Sequence, residues 1–98
     1  MSGRRYYADL VIGEVRESRE RQLELDELLA FARTYDPQYF HADPDAARGS
    51  VFGEVIASGI HTMALWRQLD HEISSDIAWI CGVAWEDVKW PKAVRAGD

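Results

Sequence analysis

The chain has 98 residues, enough for one hydrophobic core and no second domain. Apolar residues make up 47% of it, which excludes the sparse hydropathy of a disordered chain. Seventeen acidic side chains against 11 basic ones leave a net charge of −6, and no lysine–arginine run is long enough to neutralise a phosphate backbone, which argues against nucleic acid as a partner.

In chain order, Val11-Ile12-Gly13-Glu14 and the arginine-rich stretch after it predict a turn and an exposed edge strand before Leu25. Leu25, Leu28, Leu29, Ala32 and Tyr35 then recur at helical spacing, predicting a helix over about 26–34 with Glu24 at its cap. Pro37 disfavours helical dihedrals at Asp36 and ends the helix there. Residues 37–53 read as a loop, with one helical turn signalled by Asp43-Pro44-Asp45-Ala46-Ala47. Ser58 is a possible N-cap for a second helix whose expected apolar face carries Ile60, Met63, Ala64, Leu69 and Ile73. From Ile77 to Trp90 the residues turn to β-formers, predicting one long or bulged strand, and 92–98 read as a turn leading to a further strand. This order of strand, helix, loop, helix and strand makes the expected class α+β, with a helix that needs a sheet to cover it.

The single cysteine, Cys81, alternates with apolar neighbours and reads as a buried, inert thiol. No basic-then-apolar leader opens the sequence, and charges interrupt every apolar run short of the roughly 20 residues that span a bilayer. The expected setting is cytoplasmic, without a membrane. A metal site is not expected: after His71-Glu72, Ser75 stands where a zinc-binding helix needs its second histidine. His61, on the second helix, reads as structural. The four tryptophans read as core or interface first and as ligand platform second.

The stretch from Phe31 to Pro44, with Asp36 after a helix and His41 five positions later, resembles the signature of the MaoC-like, or (R)-specific enoyl-CoA hydratase, family. Phe52-Gly53, Ile56-Ala57-Ser58-Gly59-Ile60-His61, Val88-Lys89-Trp90 and Val94 to Asp98 extend the similarity along nearly the whole chain. The resemblance implies a hotdog fold, an antiparallel sheet wrapped around a central helix. It implies a single domain over 1–98 that lacks C-terminal strands, truncated after the first long core strand.

By the same resemblance, the activity is addition of water to a 2-enoyl-CoA or acyl-carrier thioester. Asp36 and His41 would grip the catalytic water, with Asp36 as base and His41 as donor or the reverse. Hydration needs one group to take a proton from water while a proton reaches the α-carbon, work that a carboxylate and an imidazole can divide. Gly59 matches the family's oxyanion glycine; without a Cβ it would let the thioester oxygen approach backbone N–H groups closely. Tyr39, Phe40 and Ser58 are expected along the substrate-binding surface. Gln38 and Tyr39 depart from the asparagine and small residue usual there, which bears on substrate size.

No cofactor is expected beyond the coenzyme A of the substrate, for whose phosphates Lys89, Lys92 and Arg95 are the compact basic candidates. The expected partner is a second copy or another hotdog subunit, since the family pairs its sheets and forms its sites at that interface. Two alternatives stand beside the hydratase. One is a hotdog thioesterase, whose carboxylate would stand on or near the central helix, where Asp70 and Glu72 lie too far along to serve; the other is a non-catalytic truncated subunit.

Overall fold

The computed structural model describes residues 3–98. A short 3-10 turn at Tyr7–Asp9 is followed by helices α1 (Leu25–Tyr35), α2 (Tyr39–Ala42), α3 (Pro44–Ala47) and α4 (Gly59–Ser74). Helix α1 forms where the periodicity places it. Leu28, Leu29 and Ala32 are buried, while Leu25 and Tyr35, at the ends of the expected stripe, are exposed. Glu24 occupies the cap position without a side-chain hydrogen bond, and Asp26 and Glu27 put negative charge in the first turn, where the helix dipole favours it. The region 37–53 carries two helical turns rather than one. In α3 the Asp43 carboxylate caps by accepting from the N–H groups of Asp45 and Ala46 at 3.0 and 3.1 Å.

The core lies beneath α1. Leu23, Leu28, Leu29, Ala47, Val55 and Ala57 are buried together, with Phe40, Leu65 and Val94 packed against them. Two backbone clamps close it. Leu23 exchanges hydrogen bonds with the C-terminal turn, its N–H to the Asp98 carbonyl and its carbonyl from the Gly97 N–H, both at 2.8 Å. Ala57 N–H donates to the Val94 carbonyl at 2.8 Å. That C-terminal turn is closed by Asp98 N–H on the Arg95 carbonyl and needs Gly97, whose φ is 94°.

Helix α4 presents a different face from the expected one. Ile60 and Ala64 are exposed and Met63 is half-buried, whereas His61 is buried and Leu65 packs on the core. The apolar stripe was expected to meet a sheet. The neighbour it has is α1, and His61 meets that neighbour with its ring stacked on Phe31, centroids 4.3 Å apart.

The expected sheet is not formed among the described residues, where β-pairing is confined to two isolated bridges, Arg5 with Ile77 and Ile56 with Arg95. A strand is a pairing, and β-forming residues with no partner alongside stay irregular. Residues 79–91 are accordingly exposed: Cys81 is an exposed thiol, not a buried one, and all four tryptophans are more than half exposed, so none is a core residue. The predicted edge strand after Val11 is also absent. Its arginines instead bind the C-terminal end of α4. Arg16 donates to the Ile73 carbonyl at 2.7 Å and pairs with Asp76 at 2.9 Å, and Arg19 pairs with Glu72 at 2.8 Å. Cations at a helix C-terminus are favoured by its dipole. The radius of gyration is 16.9 Å; a compact chain of this length has about 13 Å. The helical half is packed and the β-forming half lies open.

Leu28 is fully buried, so Leu28→Ala leaves a cavity and is expected to cost about 2–5 kcal/mol in urea denaturation. Val11→Ala, at an exposed site, is expected to change stability by less than about 0.5 kcal/mol. Equal effects would mean that the core does not lie beneath α1.

Candidate active site

Asp36 is the residue at which α1 stops, with its N–H still bonded to the Ala32 carbonyl at 2.8 Å and its φ at −149°, outside the helical range. Pro37 accounts for that departure. The next turn, α2, carries His41 on its inner side, buried beneath the edge of the Phe40 ring. His41 Nδ1 lies 2.7 Å from the carbonyl oxygen of Ile56. A carbonyl only accepts, so Nδ1 carries the proton and Nε2 is left facing Asp36. Nε2 is 3.5 Å from Asp36 Oδ2. The Ile56 strip is itself fixed from both sides, by its N–H on the Phe40 carbonyl at 2.9 Å and by its bridge to Arg95.

Ser58 stands at the N-cap position of α4 but does not cap it. Its hydroxyl donates to Asp36 Oδ2 at 2.7 Å, and Gln38 Nε2 donates to Oδ1 at 3.2 Å. Ser58 therefore ties the C-terminal end of α1 to the N-terminal end of α4, and no cap side chain covers the first N–H groups of α4. The Ser58 hydroxyl, more than any other group, holds the Asp36 carboxyl below the usual aspartate range; burial works against this, and Gln38 and His41 add to it.

Asp36 and His41 share a cleft of about 360 Å³ with Gly59, Thr62, Trp90 and Lys92. Of the other expected site residues, Gly59 lies in its wall, but its open face is taken. The indole of Trp90 sits where a Cβ would be, 2.8 Å from that position, and its Nε1–H donates to the Gly59 carbonyl at 3.0 Å. Tyr39 is half exposed with its ring edge against Phe40, Phe40 packs on the core, and Ser58 is buried against Asp36, so none of the three lines the cleft. Lys92 reaches the cleft, whereas Arg95 is engaged by the Phe52 carbonyl at 3.0 Å and Glu54 at 3.3 Å. Asp70 and Glu72, the alternative carboxylates, pair with Arg67 and Arg19 near the other end of α4.

His61 stays apart from this cleft. Its Nδ1 is buried without a partner, and burial lowers its basicity, with Glu27 opposing that shift and Arg21 adding to it. Sequence reasoning missed Trp90 and Thr62 as parts of the cleft wall. Nothing local marks them, because they reach the dyad only through tertiary packing.

A family model described as MaoC like domain matches residues 9–98. Among solved structures, the MaoC-like dehydratase from Rhodospirillum rubrum has a TM-score of 0.83 and 37% sequence identity over 94% of this chain and 63% of that one. The monoamine oxidase regulatory protein from Archaeoglobus fulgius has a TM-score of 0.85 and 26% identity over 98% of this chain and 66% of that one. The uncharacterized protein YdeM of Bacillus subtilis is 37% identical over 57 residues, 58% of this chain and 40% of its own length. The chain thus spans less than two thirds of the length of each of these proteins.

The depressed Asp36 pKa carries a signed prediction. Its stabilising contribution is present above the carboxyl's unfolded-state value and is lost as pH falls through the folded value. Ser58→Ala is expected to raise the Asp36 midpoint toward the ordinary aspartate range, read from the carboxyl carbon in an NMR titration. An unmoved midpoint would show that the Ser58 bond does not hold the anion.

Proposed function

Because this chain belongs to the MaoC-like dehydratase family, we propose that its Asp36–His41 pair hydrates a 2-enoyl thioester to the 3-hydroxyacyl thioester, or runs the reverse dehydration. The observation that carries this reading is the convergence of Asp36 Oδ2 and His41 Nε2 at 3.5 Å in a cleft, with the imidazole turned by its Nδ1–H on the Ile56 carbonyl. Two acceptors at that separation suit the two hydrogens of one water molecule and leave an oxygen lone pair for the β-carbon.

The division of labour follows from the same geometry. Asp36 already accepts from the Ser58 hydroxyl and the Gln38 amide, whereas the Nδ1–H bond to the Ile56 carbonyl leaves His41 Nε2 with a lone pair for a water proton. His41 Nε2 is then the base, and Asp36 orients the water and stabilises the imidazolium. As the C3–O bond forms, a water proton passes to Nε2 and the π electrons move toward the thioester oxygen. The imidazolium then delivers that proton to C2, so the net change is one water added across the double bond. The developing charge on the thioester oxygen would meet the uncapped N–H groups at the start of α4, beginning with Gly59. Lys92, on the cleft wall, would face the anionic part of a coenzyme A or acyl-carrier substrate.

The test is loss of enoyl-thioester absorbance with crotonyl-CoA, the full chain beside Asp36→Asn and His41→Gln. Each substitution is expected to lower kcat by about 10²–10⁴-fold. Rates unchanged by both, or a folded chain that turns over no enoyl thioester, would overturn the proposal.

A further inference from the structure

His61 takes no part in the dyad, yet it sits in the joint that holds Asp36 in place. It is 3% exposed. Its ring lies flat on Phe31 of α1, centroids 4.3 Å apart and planes 8° from parallel, and Phe31 in turn meets Tyr35, the residue before Asp36, at 5.0 Å. Three residues before His61, Ser58 makes the other link between these helices, its 2.7 Å bond to the Asp36 carboxylate. The ring stack and the hydroxyl bond therefore join the same two elements, the last turns of α1 and the first turn of α4.

The surroundings of His61 suit a neutral ring. Nδ1 is buried and has no hydrogen-bond partner, so protonation there would create a buried N–H with no acceptor. The charged groups that face the ring come from outside its own helix. Glu27 of α1 favours an imidazolium and Arg21, on the segment before α1, opposes it; the two bind each other, Arg21 Nη1 to Glu27 Oε1 at 2.9 Å, which spends much of the attraction. One turn away along α4, Ala57, Ser58, Ala64 and Leu65 carry no charge. The Phe31 face offers an imidazolium only a weak cation–π attraction. Burial outweighs these and holds the imidazole below its ordinary value.

We infer that neutral His61 is a positioning residue for Asp36, and that its protonation in mild acid loosens the joint between α1 and α4 and with it the Ser58 bond to the carboxylate. The site thus carries an acid switch separate from the titration of His41. For turnover the inference rests on the hydration reading; for the joint itself it does not. By linkage, the unfolded chain binds this proton more readily than the folded one, so the stability is full above the unfolded midpoint of His61 and is lost as pH falls through the folded one. The unfolding constant rises by about tenfold for each pH unit between the two midpoints.

The test uses the full chain beside His61→Phe, which keeps a ring on Phe31 and cannot titrate, and His61→Gln, a second side chain that stays neutral. Urea unfolding is followed between about pH 5.5 and 8, the interval in which histidines titrate. NMR reads the His61 imidazole and the Asp36 carboxyl carbon over the same interval. The native chain is expected to lose stability toward acid by the amount its His61 midpoint sets, and the Asp36 carbon to show an inflection at that midpoint. Both variants are expected to remove these two effects and to keep the inflection due to His41. The His61 midpoint is read in the native protein, so it decides even where a variant does not fold.

A native His61 midpoint at or above the ordinary histidine value overturns the inference. So does an acid loss of stability, or an Asp36 inflection, that both variants retain in full. With crotonyl-CoA, the acid limb of kcat is expected at lower pH in His61→Phe than in the native chain, and limbs that coincide overturn the control of turnover. Absence of turnover at every pH, with the His61 inflection present at Asp36, removes hydration and supports the joint.

Discussion

The hydroxyl of Ser58 could have capped its own helix, and it donates instead to the carboxylate that ends another, 2.7 Å away. Much of the site depends on that exchange. It locks the end of α1 against the start of α4, holds the Asp36 carboxyl below the usual aspartate range, and leaves the first amides of α4 free of a cap side chain. His41 is fixed independently, through the Ile56 carbonyl, so the two members of the pair are anchored to residues two apart on one strip, Ile56 and Ser58. That strip is held in turn by the C-terminal turn, through Val94 and Arg95. The geometry of the Asp36–His41 pair therefore depends on the core as well as on the 37–53 region that carries His41 in sequence.

The other half of the chain lacks this economy. Residues 79–91 carry tryptophans and β-branched side chains that would suit a sheet, and among the described residues nothing pairs with them. The molecule extends 52 Å along its long axis. The likeness to two longer solved chains, with TM-scores of 0.83 and 0.85, shows that the backbone path follows the family's even where no ladder forms. Trp90 is the point at which the two halves meet. Its indole N–H satisfies the Gly59 carbonyl, and its ring uses the space that glycine leaves.

The sequence alone determined the elements whose causes are local. Helical spacing from Leu28 to Ala32 placed α1, Pro37 placed its end, and the five-residue interval from Asp36 to His41 marked the pair that the structure brings together. These rules act within a turn or two of chain, and so they can be read from neighbours. Only the tertiary structure decided what each of these groups bonds to. His41 finds its carbonyl 15 residues away, Asp36 its hydroxyl 22 away, and Gly59 its indole 31 away. It also decided that the β-forming stretch would not become a strand and that α4 would turn His61 inward. A strand exists only with a partner, and a helix buries whichever face has a neighbour; neither condition is written in the spacing of the residues themselves.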